Sequence, residues 1–284
     1  MQKIKIGIIN QTINMLDFLF GKENGTYQSN GLAVDFDLVA GNESIELLLD
    51  GKLDFVVSVG AAVRAIMANN APLRATLLVH QNAPHWLMAS SSIDSPESLR
   101  GKKVQAAQPG SEPDVMVQKY LSENGLNPQI DVNLIYERSH PGWTFNGSRP
   151  QEDAVIARTL EQEVLEEWGY HTLVELCEHY PNTLIHGLIT TEKYLNNNAA
   201  IVDAMISSHT IISEWINDGR NEVIDFISKN FQVSEARAHR AITSLKGKFV
   251  ARLDPEDFQP VINASATTLG IPAISTERLL NTIK

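Results

Sequence analysis

The sequence predicts an α/β protein with two lobes, each built on a mostly parallel sheet flanked by helices. Strand-like and helical runs alternate from the first residues onward, as they do in βαβ units. A second alternating series follows an extended segment at residues 83–90, and the last third of the chain is largely helical. A length of 284 residues can hold two lobes of ordinary size.

The first series has predicted strands at residues 3–9, 32–40, 53–59 and 73–81, and predicted helices at 42–52 and 61–70. The second series has strands at 102–108, 130–137 and 152–157, and helices at 114–125 and 159–169. Four further helices are predicted at 191–219, 220–231, 234–245 and 254–270, with Asn, Asp, Ser and Gly as caps and stops.

Composition argues against several classes of function. The formal net charge of −11 disfavours binding to nucleic acid or to anionic membranes. The sequence has no apolar stretch near the roughly 18 residues that span a bilayer, so no membrane insertion is expected. The single cysteine, Cys177, leaves the redox compartment open, and a buried thiol is its simplest interpretation.

Motifs for metal or nucleotide chemistry are missing from the sequence. There is no H-E-x-x-H, C-x-x-C or EF-hand loop, and no phosphate-binding Gly-rich loop or G-x-S-x-G. No metal and no cofactor are therefore expected.

Ligands of open parallel sheets bind beyond the carboxyl ends of the strands, where helix N-termini converge. The candidate ligand-binding residues at these strand ends are Asn10, Gln11, Asn14, Ser58, Val59, Gly60, His80, Gln81, Gly110, Ser111 and Glu112. Each has a structural alternative: Thr12 could simply cap the next helix, residues 58–60 could form a plain strand-to-helix turn, and a histidine could satisfy a backbone carbonyl.

The stretch "VQAAQPGSEPDVMVQKYL" at residues 104–121 poses this choice most sharply. Ser111 is a natural N-cap, and the carboxylates of Glu112 and Asp114 complement a helix N-terminus. The same carboxylates would compete with an anionic ligand. The stretch alone does not decide between a binding site and a capped helix.

Three long segments resemble the type II periplasmic solute-binding proteins of the nitrate, sulfonate and taurine group, with their thiamine-pyrimidine-synthase-like relatives. They cover residues 30–81, 93–127 and 166–218, and "SPESLRGKKV" followed by a Gly-Ser helix start is the most distinctive piece. The resemblance implies two lobes that close by a hinge on a ligand. We expect lobe I at 1–86 and 188–284 and lobe II at 87–187.

The same resemblance implies further contacts to the ligand. Arg158 follows a strand where relatives place a residue that faces the ligand, and it would suit a carboxylate, sulfonate or phosphate. A surface salt bridge is its structural alternative. His186 lies near the second crossing between the lobes. Trp143 lies in the loop "RSHPGWTFNGSRPQ", which replaces a helix found in relatives and could cover an apolar or flat ligand.

Two functions follow from this resemblance. The first is a solute-binding protein that captures a small organic molecule, anionic or aromatic, and passes it to an ABC permease. The second is a cytosolic enzyme on the same fold, a decarboxylase, lyase or biosynthetic enzyme for an aromatic or pyrimidine-like substrate. Its acid–base candidates are His80, His85, His140 and His186. The protein is expected to be periplasmic if an export signal has been removed, and cytoplasmic otherwise.

Overall fold

The structure is a computed structural model that describes residues 1–39, 41–107, 109–136 and 149–280. Trp143, predicted to contact the ligand, and His140, an acid–base candidate, lie outside the described residues.

The first part of the chain alternates strands and helices as predicted. β1 (Gln2–Ile8) leads through a short 3-10 turn (Ile13–Met15) into α1 (Leu16–Glu23) and α2 (Thr26–Ser29). These elements are followed by β2 (Leu32–Leu38), α3 (Gly41–Leu49), β3 (Phe55–Val56), α4 (Val59–Asn69) and β4 (Leu73–His80).

The second part begins with β5 (Trp86–Ser90), a 3-10 turn (Pro96–Leu99) and β6 (Lys103–Ala106). It continues through α5 (Glu112–Glu123), β7 (Asn133–Tyr136), β8 (Ala154–Ala157), α6 (Thr159–Glu167), β9 (Tyr170–Glu175) and α7 (Leu176–His179).

The last part contributes β10 (His186–Thr191), α8 (Glu192–Asn197), α9 (Ala199–Asn217), α10 (Asn221–Asn230) and α11 (Glu235–Leu245). β11 (Phe249–Arg252), α12 (Pro255–Leu269) and α13 (Thr276–Leu279) complete the described chain.

The strands form two sheets, which define the two lobes used below. Lobe I is the sheet with the order β11-β4-β10-β3-β1-β2 and its helices, and lobe II is the sheet with the order β7-β6-β8-β5-β9 and its helices. In lobe I, β1 pairs in parallel with β2 and β3, whereas β10 runs antiparallel between β3 and β4. In lobe II, β6 pairs in parallel with β7 and β8, and β5 is antiparallel to β8 and β9. The predicted two-lobed α/β class is confirmed.

Several strands differ from the sequence expectations. β5 lies in the segment predicted as extended, whereas β9, β10 and β11 lie in stretches between the predicted elements. The helix predicted at 191–219 is divided at Asn198 into α8 and α9. β10 and β11 are four to six residues long, run antiparallel to β4, and are buried by neighbours distant in sequence. The βαβ pattern therefore carries no signal for them.

Each sheet is covered by apolar side chains on both faces. One cluster packs β1 and β4 against α1 and α9, and another packs α4 and α12 on the opposite face of lobe I. Lobe II has a main cluster on α5 and a smaller one around Trp86 and Tyr170. None of the described helices is both long and apolar enough to cross a membrane.

Two connections join the lobes, and they are tied to each other. The chain passes from β4 to β5 through residues 81–85 and returns from α7 to β10 through residues 180–185. Asn82 and Asn182 both adopt left-handed backbone, with φ of 49° and 58°. The backbone N–H of Asn182 donates to Asn82 Oδ1 at 2.6 Å, and Asn82 Nδ2 donates to Asn182 Oδ1 at 3.1 Å. This reciprocal pair fixes where the two crossings meet.

Candidate functional site

The carboxyl ends of the parallel strands in the two lobes face each other across a small cavity. β1 and β4 end at this edge in lobe I and β10 starts there, since His186 pairs with His80. β6 and β8 end at the opposing edge in lobe II and β5 starts there, since Trp86 pairs with Ala157. The cavity measures about 30 Å³ and is lined by Ile9, Asn10, Asn14, His85, Ala107, Ser111, Glu112, Pro113, Arg158, Leu184, Ile185 and His186.

Asn14 is the central polar residue on the lobe I side, and its surroundings fix the roles of its amide. His85 Nδ1 lies 2.9 Å from the carbonyl oxygen of Ala83, which can only accept, so this nitrogen carries the proton. His85 Nε2 is then an acceptor and faces Asn14 Nδ2 at 3.5 Å. Asn14 Oδ1 is buried and has no hydrogen-bond partner among the described residues. The cavity therefore presents an acceptor to a ligand.

His80 supports this arrangement from behind. Its Nδ1 donates to the backbone oxygen of Asn14 at 3.2 Å, and its ring stacks on Phe249 with centroids 4.3 Å apart. His80 does not line the cavity, so it positions Asn14 rather than contacting a ligand.

The cleft histidines are neutral at physiological pH. Burial lowers the pKa of His85 to about 3, with a further contribution from the positive charge of Arg158. Burial also lowers the pKa of His186 to about 4 and that of His80 well below its usual value. Each ring thus offers one donor and one acceptor nitrogen without a charge.

Ser111 occupies the N-cap position of α5, but its hydroxyl makes no capping hydrogen bond. Its Oγ is buried, lines the cavity and has no partner in the described part of the chain. Asp114 instead accepts the backbone N–H of Gly110 at 2.8 Å. The start of α5 therefore faces the cavity with a hydroxyl that capping does not use.

Glu112 reaches from lobe II to lobe I. Its Oε1 accepts from Arg64 Nη1 at 2.9 Å, and both side chains are largely buried, at 13% and 15% exposure. Arg64 Nη2 also donates to the carbonyl oxygen of Gly110 at 2.6 Å. The carboxylate lies against Gly60 in the first turn of α4, so closely that a Cβ at Gly60 would overlap it. This contact requires glycine at position 60.

Arg158 lines the cavity on the lobe II side and is 4% exposed. Its Nη1 donates to Glu161 Oε2 at 3.1 Å, and Glu161 also accepts the backbone N–H of Arg158 at 3.0 Å. The guanidinium predicted to meet an anion is thus already paired with a carboxylate three residues further along α6.

A second charged cluster joins the lobes away from the cavity. Arg237 of α11 donates to Glu163 of α6 at 3.0 Å and to Glu167 at 2.6 Å. Arg240 donates twice to Glu163, at 2.9 and 2.8 Å. Together with Arg64 and Glu112, these pairs hold the lobes in contact on two sides.

Comparison with known families agrees with this architecture. The NMT1/THI5-like family model matches residues 12–210, more than half of the chain. The chain belongs to the NMT1/THI5-like family. This confirms the predicted resemblance.

Solved structures share the NMT1/THI5-like chain's fold at low identity. A protein from Bordetella bronchiseptica RB50 aligns with a TM-score of 0.80 at 19% identity, covering 99% of this chain and 95% of its own. The alkanesulfonate-binding protein SsuA from Xanthomonas axonopodis pv. citri, bound to MOPS, aligns with a TM-score of 0.72 at 16% identity, covering 98% and 96%.

The desulfurization enzyme DSZB aligns with a TM-score of 0.67 at 12% identity, covering 99% and 97%. A search of curated protein sequences found no match. At these identities the structural likeness establishes the fold alone.

The structure brings some of the predicted site residues of this NMT1/THI5-like protein to the cavity and holds others away. The lining includes Asn10, Asn14, Ser111, Glu112, Arg158 and His186. Residues that do not line it are Gln11, Ser58, Val59, Gly60, His80, Gln81 and Gly110.

Two of these predicted residues have clear structural roles. Asn10 lines the cavity, but its Oδ1 also accepts the backbone N–H and hydroxyl of Thr12, at 3.1 and 2.8 Å. Gln81 joins the crossing, where its Nε2 donates to Asn182 Oδ1 at 3.1 Å and its Oε1 accepts from Arg252 at 2.7 Å.

Sequence reasoning did not find Arg64 or Glu161. Arg64 lies in the middle of a helix and Glu161 in the first turn of another, positions where a charged residue is usually solvated. A Glu three residues after Arg158 could have suggested the second pair, because it stands where a capping-box carboxylate stands.

A second hollow lies apart from this site. A hollow of about 450 Å³ on lobe I is lined by β2 and by Lys3, Lys5, Lys22 and Tyr27, none of which was predicted to bind. Within the described ranges, no group of three His, Cys, Asp or Glu residues could hold a metal ion.

Proposed function

We propose that the protein binds a small organic molecule in the cavity between its lobes and acts as a solute-binding protein. The observation that carries this proposal is the convergence of buried polar atoms from both lobes on one cavity. Asn14 Oδ1 comes from lobe I and Ser111 Oγ from lobe II, and neither has a partner in the described ranges. Buried polar groups are nearly always hydrogen-bonded, so these atoms suit a bound molecule.

Opening of the lobes is part of the proposal. A cavity of about 30 Å³ holds about one or two water molecules, whereas small-molecule sites usually measure about 300–1,000 Å³. A ligand would enter when the two lobes separate about the two crossings. The Asn82–Asn182 pair provides a fixed pivot for that motion.

The resemblance to solute-binding proteins also suggests a partner and a compartment. SsuA is an alkanesulfonate-binding protein. By analogy, we propose that the closed protein docks on an ABC permease and works in the periplasm. Fractionation of cells that express the native gene would test the compartment, and recovery of the protein with cytoplasmic markers would contradict it.

Mass spectrometry of small molecules released from the purified protein tests ligand binding. Wild type is expected to retain an organic metabolite that Asn14→Ala retains much less, because this change removes the buried amide. Asn42→Ala, at an exposed position of α3, is the matched control and should retain as much as wild type. Equal retention by all three proteins would place the ligand elsewhere.

A second function, an enzyme on the same fold, has one observation in its favour. DSZB is a desulfurization enzyme, and three histidines surround Asn14 in this cleft. Against it, a general base works best with a pKa near the operating pH, and the pKa values of His85 and His186 lie at about 3 and 4. Prolonged incubation with the identified ligand separates the two functions, since an enzyme would convert the ligand and a binding protein would return it intact.

A further inference from the structure

We propose that Glu112 determines the specificity of the cleft, which accepts an uncharged ligand with hydrogen-bond donors and rejects anions. This inference rests on the proposed ligand-binding function and extends it to the class of ligand.

The charges of the cavity are already balanced. Two charged side chains line it among the described residues, Glu112 and Arg158, and each has a partner of opposite sign. The pairs join Glu112 to Arg64 across the lobes and Arg158 to Glu161 within α6. The histidines add no charge because burial keeps them neutral. An anion entering this cavity would meet no uncompensated cation and would lie beside a carboxylate.

The place where an anion would bind is taken by the protein itself. The first turn of an 11-residue helix such as α4 is a favourable environment for negative charge. The carboxylate of Glu112 lies against Gly60 in that turn and is held by Arg64. Glu112 thus acts as a built-in substitute for an anionic ligand, and an external anion would have to displace it from Arg64.

The polar atoms that remain point to a hydrogen-bond donor on the ligand. The tautomer of His85 turns the amide nitrogen of Asn14 toward the ring, which leaves Asn14 Oδ1 for a ligand. An amide oxygen can only accept a hydrogen bond. Ser111 Oγ and His186 Nδ1, which also has no partner among the described residues, can each donate or accept. A ligand with an N–H or O–H group would satisfy Asn14, whereas a carboxylate or sulfonate offers only acceptors.

A pair of isosteric probes tests this inference directly. Methanesulfonamide and methanesulfonate have nearly the same shape, but the first is uncharged with N–H donors and the second is an anion. Their affinities are measured by calorimetry for wild type, Glu112→Gln and Glu46→Gln. The last variant removes the same charge from an exposed position of lobe I.

Wild type is expected to prefer the sulfonamide. Glu112→Gln frees Arg64 for a charge-assisted hydrogen bond, so the affinity ratio should move toward the sulfonate by about tenfold or more. Glu46→Gln should keep the wild-type ratio.

Three outcomes would overturn the inference: a wild type that prefers the sulfonate, a ratio that Glu112→Gln leaves unchanged, or a wild type that binds neither probe. A protein that prefers sulfonates would still be a solute-binding protein. The proposed function fails on separate results: a purified wild type that retains no metabolite, equal retention by Asn14→Ala, or conversion of the ligand on incubation.

Discussion

A single methyl group added at Gly60 should open the lobes while changing the stability of the fold only slightly. A Cβ at Gly60 would overlap the carboxylate of Glu112 and lie 3.1 Å from Arg64 Nη1. The carboxylate is the end of a flexible side chain, so it can move away, but it then loses Arg64. Gly60→Ala should therefore break the ion pair without disturbing the core of lobe I.

The magnitude follows from the burial of the pair. A hydrogen bond to a charged group contributes about 1.5–3 kcal/mol, and the low exposure of Arg64 and Glu112 places their pair within that range. The ratio of closed to open protein should fall by about tenfold to a hundredfold. Alanine is also better than glycine inside a helix by about 1 kcal/mol, and Gly60 has no left-handed backbone that alanine would strain. The helix gain offsets about 1 kcal/mol of what the closed protein loses with the ion pair, so the melting temperature should fall only slightly.

Small-angle X-ray scattering and thermal unfolding measure the two effects separately. Gly60→Ala should show a larger radius of gyration than wild type, with only a small loss of thermal stability. Glu112→Ala should expand the protein similarly, and the double variant should expand it no further, because both changes remove one interaction. A Gly60→Ala protein as compact as wild type, or additive effects in the double variant, would refute the cross-lobe contact.

Three other predictions follow from the structure. Because the pKa values of His85 and His186 are lowered to about 3 and 4, their contribution to stability is complete above their ordinary pKa of 6.5 and is lost as the pH falls below it. The free energy of unfolding, measured in urea, should be lower at pH 5 than at pH 7 by about 2 kcal/mol for each ring. A free energy of unfolding that does not change from pH 7 to 5 would contradict their burial. Glu163→Gln, which weakens the α6–α11 cluster, should expand the protein in scattering at low salt and reduce its response to added salt; an unchanged salt response would exclude a role in closure. In urea, the free energy of unfolding of Asn182→Ala should be about 1 kcal/mol lower than that of Asn182→Gly, because only glycine tolerates the left-handed backbone freely. The reverse order would show that this conformation is not required.

Local pattern was sufficient for the class of fold and for some residues of the site on each lobe. The alternation of strands and helices predicts the parallel strands β1–β4 and β6–β8, and the carboxyl ends of such strands must meet at one edge. Asn14, Ser111 and Arg158 follow such ends, so their position near the cleft could be predicted from the sequence.

The partners of these residues could not be predicted in the same way. Arg64 meets Glu112 across 48 positions of sequence and across the two lobes, so no local spacing connects them. Asn82 and Asn182 pair across 100 positions. Ser111 looks like an ordinary N-cap in the sequence, and only its surroundings in the fold show that its hydroxyl faces the cavity instead.

A crystal structure of the wild-type protein with the metabolite that it retains would test the central claim most directly. The account predicts an uncharged molecule between the lobes, with a donor about 2.7–3.2 Å from Asn14 Oδ1 and a polar group near Ser111 Oγ. Glu112 should remain on Arg64. A ligand bound outside the cleft, or an anion on Arg64 with Glu112 displaced, would contradict it.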